Sequence, residues 1–118
     1  VLGNTDDHLR NHGFLADRGF WALSPSFDVN PTPDLWRPRA TSVMGADSFP
    51  YEVEALLALA DECGLTLDQA QSRIRRITDG LADWKAVARA NGIAFREIMM
   101  MTESIVPRLE AVRTVTRT

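Results

Sequence analysis

A chain of 118 residues with 13 Lys and Arg against 16 Asp and Glu, a net charge of -3, is one domain long and has no overall attraction to a phosphate backbone, so direct nucleic-acid binding is not expected. Its 45% hydrophobic content suffices for one core, yet no apolar run approaches the roughly 18 residues of a membrane span, and no basic-then-apolar segment marks a secretory signal. The single cysteine, Cys63, excludes an internal disulfide; set in "LLALADECGL" it reads as a packed thiol in a reducing compartment, and the expected location is the cytoplasm with no membrane contact.

Residues 1–30 begin with the polar stretch "GNTDDHLRN" and continue into two short apolar runs, "GFLAD" and "GFWALS", separated by the turn-prone "DRG". This predicts a loop followed by a β-hairpin, with Phe14 and Leu15 opposite Trp21 and Leu23 and Gly19 at positive φ. Chain ends fray unless tied down, and an ionisable cluster within ten residues of Val1 reads as part of a longer protein. Residues 31–50 carry Pro31, Pro33, Pro38 and Pro50, each of which removes a backbone donor and keeps its predecessor out of helix. They form an extended connection, which Leu35, Trp36 and Val43 are expected to pin to the body.

Residues 51–118 are helical in pattern. "YEVEALLALADEC" places Val53, Leu56, Leu57 and Ala60 on one face, with Gly64 as the stop. "TLDQAQSRIRRITDGLADWKAVARANG" opens with Thr66 and Gln69 at capping-box spacing and repeats apolar residues at Ala70, Ile74, Ile77, Leu81, Trp84 and Ala88, which predicts one long helix despite Gly80. In the last helix Ile98, Met101, Ile105, Leu109 and Val112 share a face, and Pro107 is expected to kink or restart it. Arg73 and Arg76, followed by Asp79 and Asp83, read as a solvated ion-pairing face, and Met99, Met100 and Met101 as core filler.

The chemistry, if any, therefore lies in the first thirty residues. Phosphoryl transfer needs one carboxylate to orient and deprotonate the attacking hydroxyl and hard oxygen ligands for magnesium. In protein kinases the base and one metal ligand share a loop, an aspartate followed five residues later by an asparagine, and a second metal-binding aspartate follows further on. Asp6 and Asn11 have that spacing, and Asp28 follows Phe27 in "LSPSFDV" after the hairpin. Asp7 rivals Asp6 in register, and composition does not separate them. Loops rich in Asn, Asp and Gly also turn chains without catalysing anything. It is the second segment, with Asp28, that weighs against this plain reading.

"GNTDDHLRN" followed by "LSPSFDVNP" resembles the D-x-H-x-x-N and (S/A/T)-P-x-(F/Y)-D signatures of HipA-like serine/threonine kinases, the toxins of bacterial toxin–antitoxin pairs. The likeness extends more weakly into "ALLALADECGLTLDQAQSRIRRI" and Trp84. It implies a mainly α fold, the helical C-terminal lobe of a protein-kinase-like fold with a short N-terminal β-hairpin. It implies Asp6 as catalytic base, Asn11 and Asp28 as ligands of Mg2+, and ATP as substrate. His8 is expected to prop the loop by hydrogen-bonding a backbone carbonyl, since imidazole suits zinc or iron better than magnesium. Asn4 is expected to orient the loop from its start. Arg10, where the family often has lysine, offers a planar positive fork to the transferred phosphate. His12 reads as a surface histidine.

No glycine-rich phosphate loop and no strand lysine for the α- and β-phosphates is recognisable, and the family keeps these elements upstream. The resemblance thus implies the C-terminal part of a kinase, inactive without its N-terminal lobe, with a protein substrate, a possible antitoxin partner and possible self-association. A non-catalytic helical module that docks to an antitoxin or to a second copy is the alternative.

Overall fold

The structure, a computed structural model, describes residues 1–117. A short 3-10 turn at Leu9–Asn11 precedes strands β1 (Phe14–Asp17) and β2 (Phe20–Leu23), and helices α1 (Phe49–Glu62), α2 (Leu67–Gly80), α3 (Trp84–Ala90) and α4 (Phe95–Thr114) follow. The protein is mainly helical, with its β-hairpin ahead of the helices.

The two strands pair antiparallel, from Phe14 with Leu23 to Asp17 with Phe20. That register leaves a two-residue loop, Arg18 and Gly19, with both residues at positive φ (47° and 86°). Such a loop twists in the sense of the strands it joins, which is why Gly19 serves where a side chain would strain. Leu15 lies opposite Ala22, and it is Ala16 that faces Trp21, so the expected pairing holds for Phe14 only. All eight strand residues are exposed.

Helix α4 is the spine of the helical part, packing against α1, α2 and α3. Its residues Ile98, Ile105, Leu109 and Val112 are each at most 5% exposed, the stripe that the helical spacing predicts. From α2 come Ala70, Ile74 and Thr78 and from α1 Ala55. The Thr78 hydroxyl is satisfied by donating to the Arg75 carbonyl at 3.0 Å. Ile77 is half exposed, because the buried stripe of α2 advances in steps of four through Ala70, Ile74 and Thr78. The capping box at its start is formed: Gln69 N–H donates to Thr66 Oγ1 at 3.2 Å and Thr66 N–H to Gln69 Oε1 at 2.9 Å. Gln71 and Arg75 in turn donate to the carbonyls of Val115 and Thr116 beyond α4, at 2.8 and 3.0 Å. These side chains supply donors that the end of a helix lacks.

The expected long second helix is two helices. After Gly80 the amides of Ala82 and Trp84 turn to carbonyls three residues back, at 3.2 Å each, so the coil tightens through residues 81–83 before α3 begins. Pro107, by contrast, does not restart α4, which runs through it. The carbonyl that loses its donor belongs to Glu103, on the exposed side of the helix. Cys63 is exposed rather than packed. The face it shares with Leu56 and Ala60 opens into an apolar groove of about 210 Å3 between α1 and α2. Met99 and Met100 are about half exposed, and neither Arg73 nor Arg76 pairs with Asp79 or Asp83 among the described residues. No described helix is long and apolar enough to cross a membrane.

Removing the buried Leu109 side chain (Leu109→Ala) should cost about 2–5 kcal/mol, whereas opening the capping box with Thr66→Ala should cost about 1 kcal/mol. Urea denaturation monitored by circular dichroism will separate the two; equal losses would contradict α4 as the spine.

Candidate functional site

A hairpin returns the chain to where it set out, and this brings the two polar segments together. The Ser24 amide donates to the Gly13 carbonyl at 2.7 Å, extending the pairing past Leu23. Just beyond that point Asn11 Nδ2 donates to Asp28 Oδ2 at 3.0 Å, across 17 residues of sequence. Asn11 is buried at 9% exposure, while Asp28 is exposed. The amide of Asn11 has one permitted orientation: the His8 backbone N–H, a donor only, faces Oδ1 at 3.3 Å, which leaves Nδ2 for the carboxylate. Asp28 Oδ1 accepts from Asn30 Nδ2 at 2.9 Å. The Asp28 backbone stands at φ 55°, a left-handed conformation that aspartate tolerates better than most residues.

The loop ahead of Asn11 is held from the helical body. Thr5 offers its carbonyl to the amides of both Ala40 and Thr41, at 2.9 and 3.1 Å. Arg39 donates from Nη2 to the Asn4 carbonyl at 2.8 Å, from Nε to the Thr41 carbonyl at 3.0 Å and from Nη1 to Glu52 Oε1 at 3.2 Å. The other oxygen of Glu52 receives Nη1 of Arg108, whose side chain is 1% exposed and whose Nη2 reaches the Leu35 carbonyl at 3.3 Å. The Arg108 guanidinium also lies 5.6 Å from the centre of the Phe49 ring, which meets Trp36 edge-on at 5.8 Å. Trp36 itself remains 66% exposed, so Leu35 pins the connection through its carbonyl more than Trp36 does through burial.

Gly3 is where this network touches the loop most closely. Its φ is 80°, and a Cβ there would run into the guanidinium of Arg108. A side chain there would be strained by the backbone and would force the Arg108 guanidinium to move.

The sequence-predicted residues fall out unevenly. Asn11 and Asp28 meet. Asp6 is exposed, follows the anchored Asn4 and Thr5, and has no hydrogen-bond or ion-pair partner among the described residues, so no contact joins it to the other two. Asp7 pairs with His12 Nε2 at 2.8 Å. His8 does not prop the loop as expected: its Nδ1 is buried without a partner. Asn4 contributes through its carbonyl, and Arg10 is exposed. Three members escaped the sequence reading. Glu52 and Arg108 carried a signal, each being a charge on the core-facing side of an apolar helix, beside Ala55 and between Ile105 and Val112. Arg39, in the proline-rich connection, carried none.

Gly3→Ala should destabilise the fold by about 2 kcal/mol or more, whereas Gly64→Ala, also at positive φ but with open space around it, should cost about 1–2 kcal/mol of strain alone. Denaturant midpoints of the two variants check this, and a smaller loss at Gly3 would refute the close approach of Arg108.

Residues 1–85 match the family described as HipA-like C-terminal domain. No curated protein and no solved structure matches the chain significantly. The matched span takes in the loop, the hairpin, Arg39, Glu52, α1 and α2, and with 85 of 118 residues inside it the chain belongs to the HipA-like C-terminal domain family.

Proposed function

We propose that this domain is the phosphoryl-transfer part of an ATP- and Mg2+-dependent serine/threonine protein kinase of the HipA type, with the nucleotide-cradling elements supplied by sequence ahead of it. The observation that carries the reading is the 3.0 Å contact between Asn11 and Asp28. It unites an amide and a carboxylate, the pair with which kinases hold metal beside the phosphates. Their oxygens are the hard donors that magnesium prefers, and magnesium is commonly held by one or two carboxylates together with substrate phosphates and water rather than by a full protein cage. Among the described residues no group of three or more His, Cys, Asp or Glu side chains is placed to hold a metal ion.

Within this reading Asp6 is the base. Asp7 is engaged by His12, which leaves Asp6 as the unengaged carboxylate of the loop. It accepts the proton of the seryl or threonyl hydroxyl as that oxygen bonds to the γ-phosphorus and the bond to ADP breaks. Bound Mg2+ would neutralise charge on the transferred group. Asn11 and Asp28 would hold the ion through their side-chain oxygens, and Arg10, exposed one residue before Asn11, would offer a planar fork to phosphate oxygens. One observation favours a second reading, a docking module for an antitoxin or a second copy: Phe14, Phe20, Trp21 and Leu23 are 64–78% exposed on the hairpin.

In protein expressed from its complete reading frame, Asp6→Asn should keep Mg2+-ATP binding by calorimetry while losing at least about 10²-fold in transfer from γ-labelled ATP. Asp28→Asn should weaken the Mg2+-dependent part of nucleotide binding. Undiminished transfer by Asp6→Asn would remove Asp6 from its role, and a parent protein without transfer would leave the docking reading.

A further inference from the structure

We propose that Arg39 is a positioning residue for Asp6, holding the loop that carries the base at one place relative to the helical body; the inference rests on the kinase reading above. Asp6 is exposed and has no partner of its own among the described residues, so its placement is decided by the backbone immediately before it. That backbone is held at two successive carbonyls. Arg39 Nη2 takes Asn4 O at 2.8 Å, and the amides of Ala40 and Thr41, the two residues after Arg39, take Thr5 O.

The remaining nitrogens of Arg39 face Thr41 O and Glu52 Oε1, so one planar side chain joins the loop, the connection and the first turn of α1. Its own amide donates to Asp47 O at 2.6 Å, which fixes residue 39 to the far side of the turn closed by Val43 and Ala46. All three side-chain nitrogens are committed to protein acceptors and the side chain is 11% exposed, so Arg39 acts through Asp6 and does not itself meet substrate. Lysine keeps the charge opposite Glu52 but cannot serve three acceptors in one plane. A base displaced by about 1 Å loses on the order of 10²-fold in rate, which sets the scale of the expected effect.

The test uses Arg39→Lys in protein from the complete reading frame, at a temperature where variant and parent are both fully folded. We expect kcat to fall about 10- to 100-fold with KM for ATP nearly unchanged. In the Asp6→Asn background the same change should add almost nothing, because placing an absent base has no consequence. Amide hydrogen exchange at Ala40 and Thr41, whose N–H groups donate to Thr5 O, should speed by about 10-fold or more while α2 and α4 keep their protection. A kcat matching the parent's, an equal loss in both backgrounds, or unchanged exchange at Ala40 and Thr41 would each overturn the proposal. A parent that transfers no phosphoryl group while the loop loosens as expected sinks the kinase reading and supports Arg39's hold on the loop.

Discussion

The carboxylate of Glu52, held between two guanidinium groups, is the interaction on which the arrangement of this domain depends. One oxygen meets Arg39, which reaches the polar loop, and the other meets Arg108, which belongs to the central helix. Such buried charges add little net stability compared with apolar packing, although breaking one partner away is costly, about 3–5 kcal/mol. Their use here follows from the loops. The carbonyls of Asn4, Leu35 and Thr41 lie outside any helix or sheet ladder, and an apolar side chain could give them no donor. Two arginines supply those donors, and Glu52 offsets the charge that comes with them.

Gly3 shows how tightly the loop is drawn onto this network, since the Arg108 guanidinium occupies the space where a Cβ would stand. The family match ends at residue 85, yet Arg108 lies beyond it and touches the start of the matched span. Helix α4 is thus tied to the loop as well as to the core, and the helical body and the polar segment form one unit rather than a bundle with an appended leader.

What could be read from the sequence was what depends on near neighbours. The Thr66–Gln69 box, the Arg18–Gly19 turn and the stripe from Ile98 to Val112 each follow from spacings of a few residues. The break after Gly80 was hidden because a single tightened turn leaves Trp84 and Ala88 near the apolar phase of the preceding helix, so periodicity continues while the helix does not. Cys63 deceived for a related reason: its phase matches Leu56 and Ala60, but phase does not say whether another element covers that face. At the site, Asn11 and Asp28 were legible because a hairpin makes their separation a local matter. The Glu52 network was not, since its side chains join residues 13, 35, 56 and 73 apart, distances over which one sequence has no pattern to show.

The hairpin stands apart energetically from the helical body. A two-stranded sheet alone is marginal in water, and here all eight strand residues are exposed. The radius of gyration of the chain is 15.7 Å, against the ~13.5 Å of a compact chain of this length. What closes the base of the hairpin is the Ser24–Gly13 backbone bond and, just beyond it, the Asn11–Asp28 contact. The two side chains to which the kinase reading gives the metal are therefore also the clasp of the hairpin. In that contact the amide offers its nitrogen to Asp28 while its oxygen faces the His8 N–H, so the clasp is itself a hydrogen bond across the foot of the hairpin. With the preceding loop firmly anchored by Arg39, the hairpin is the part of the fold that has least else to hold it.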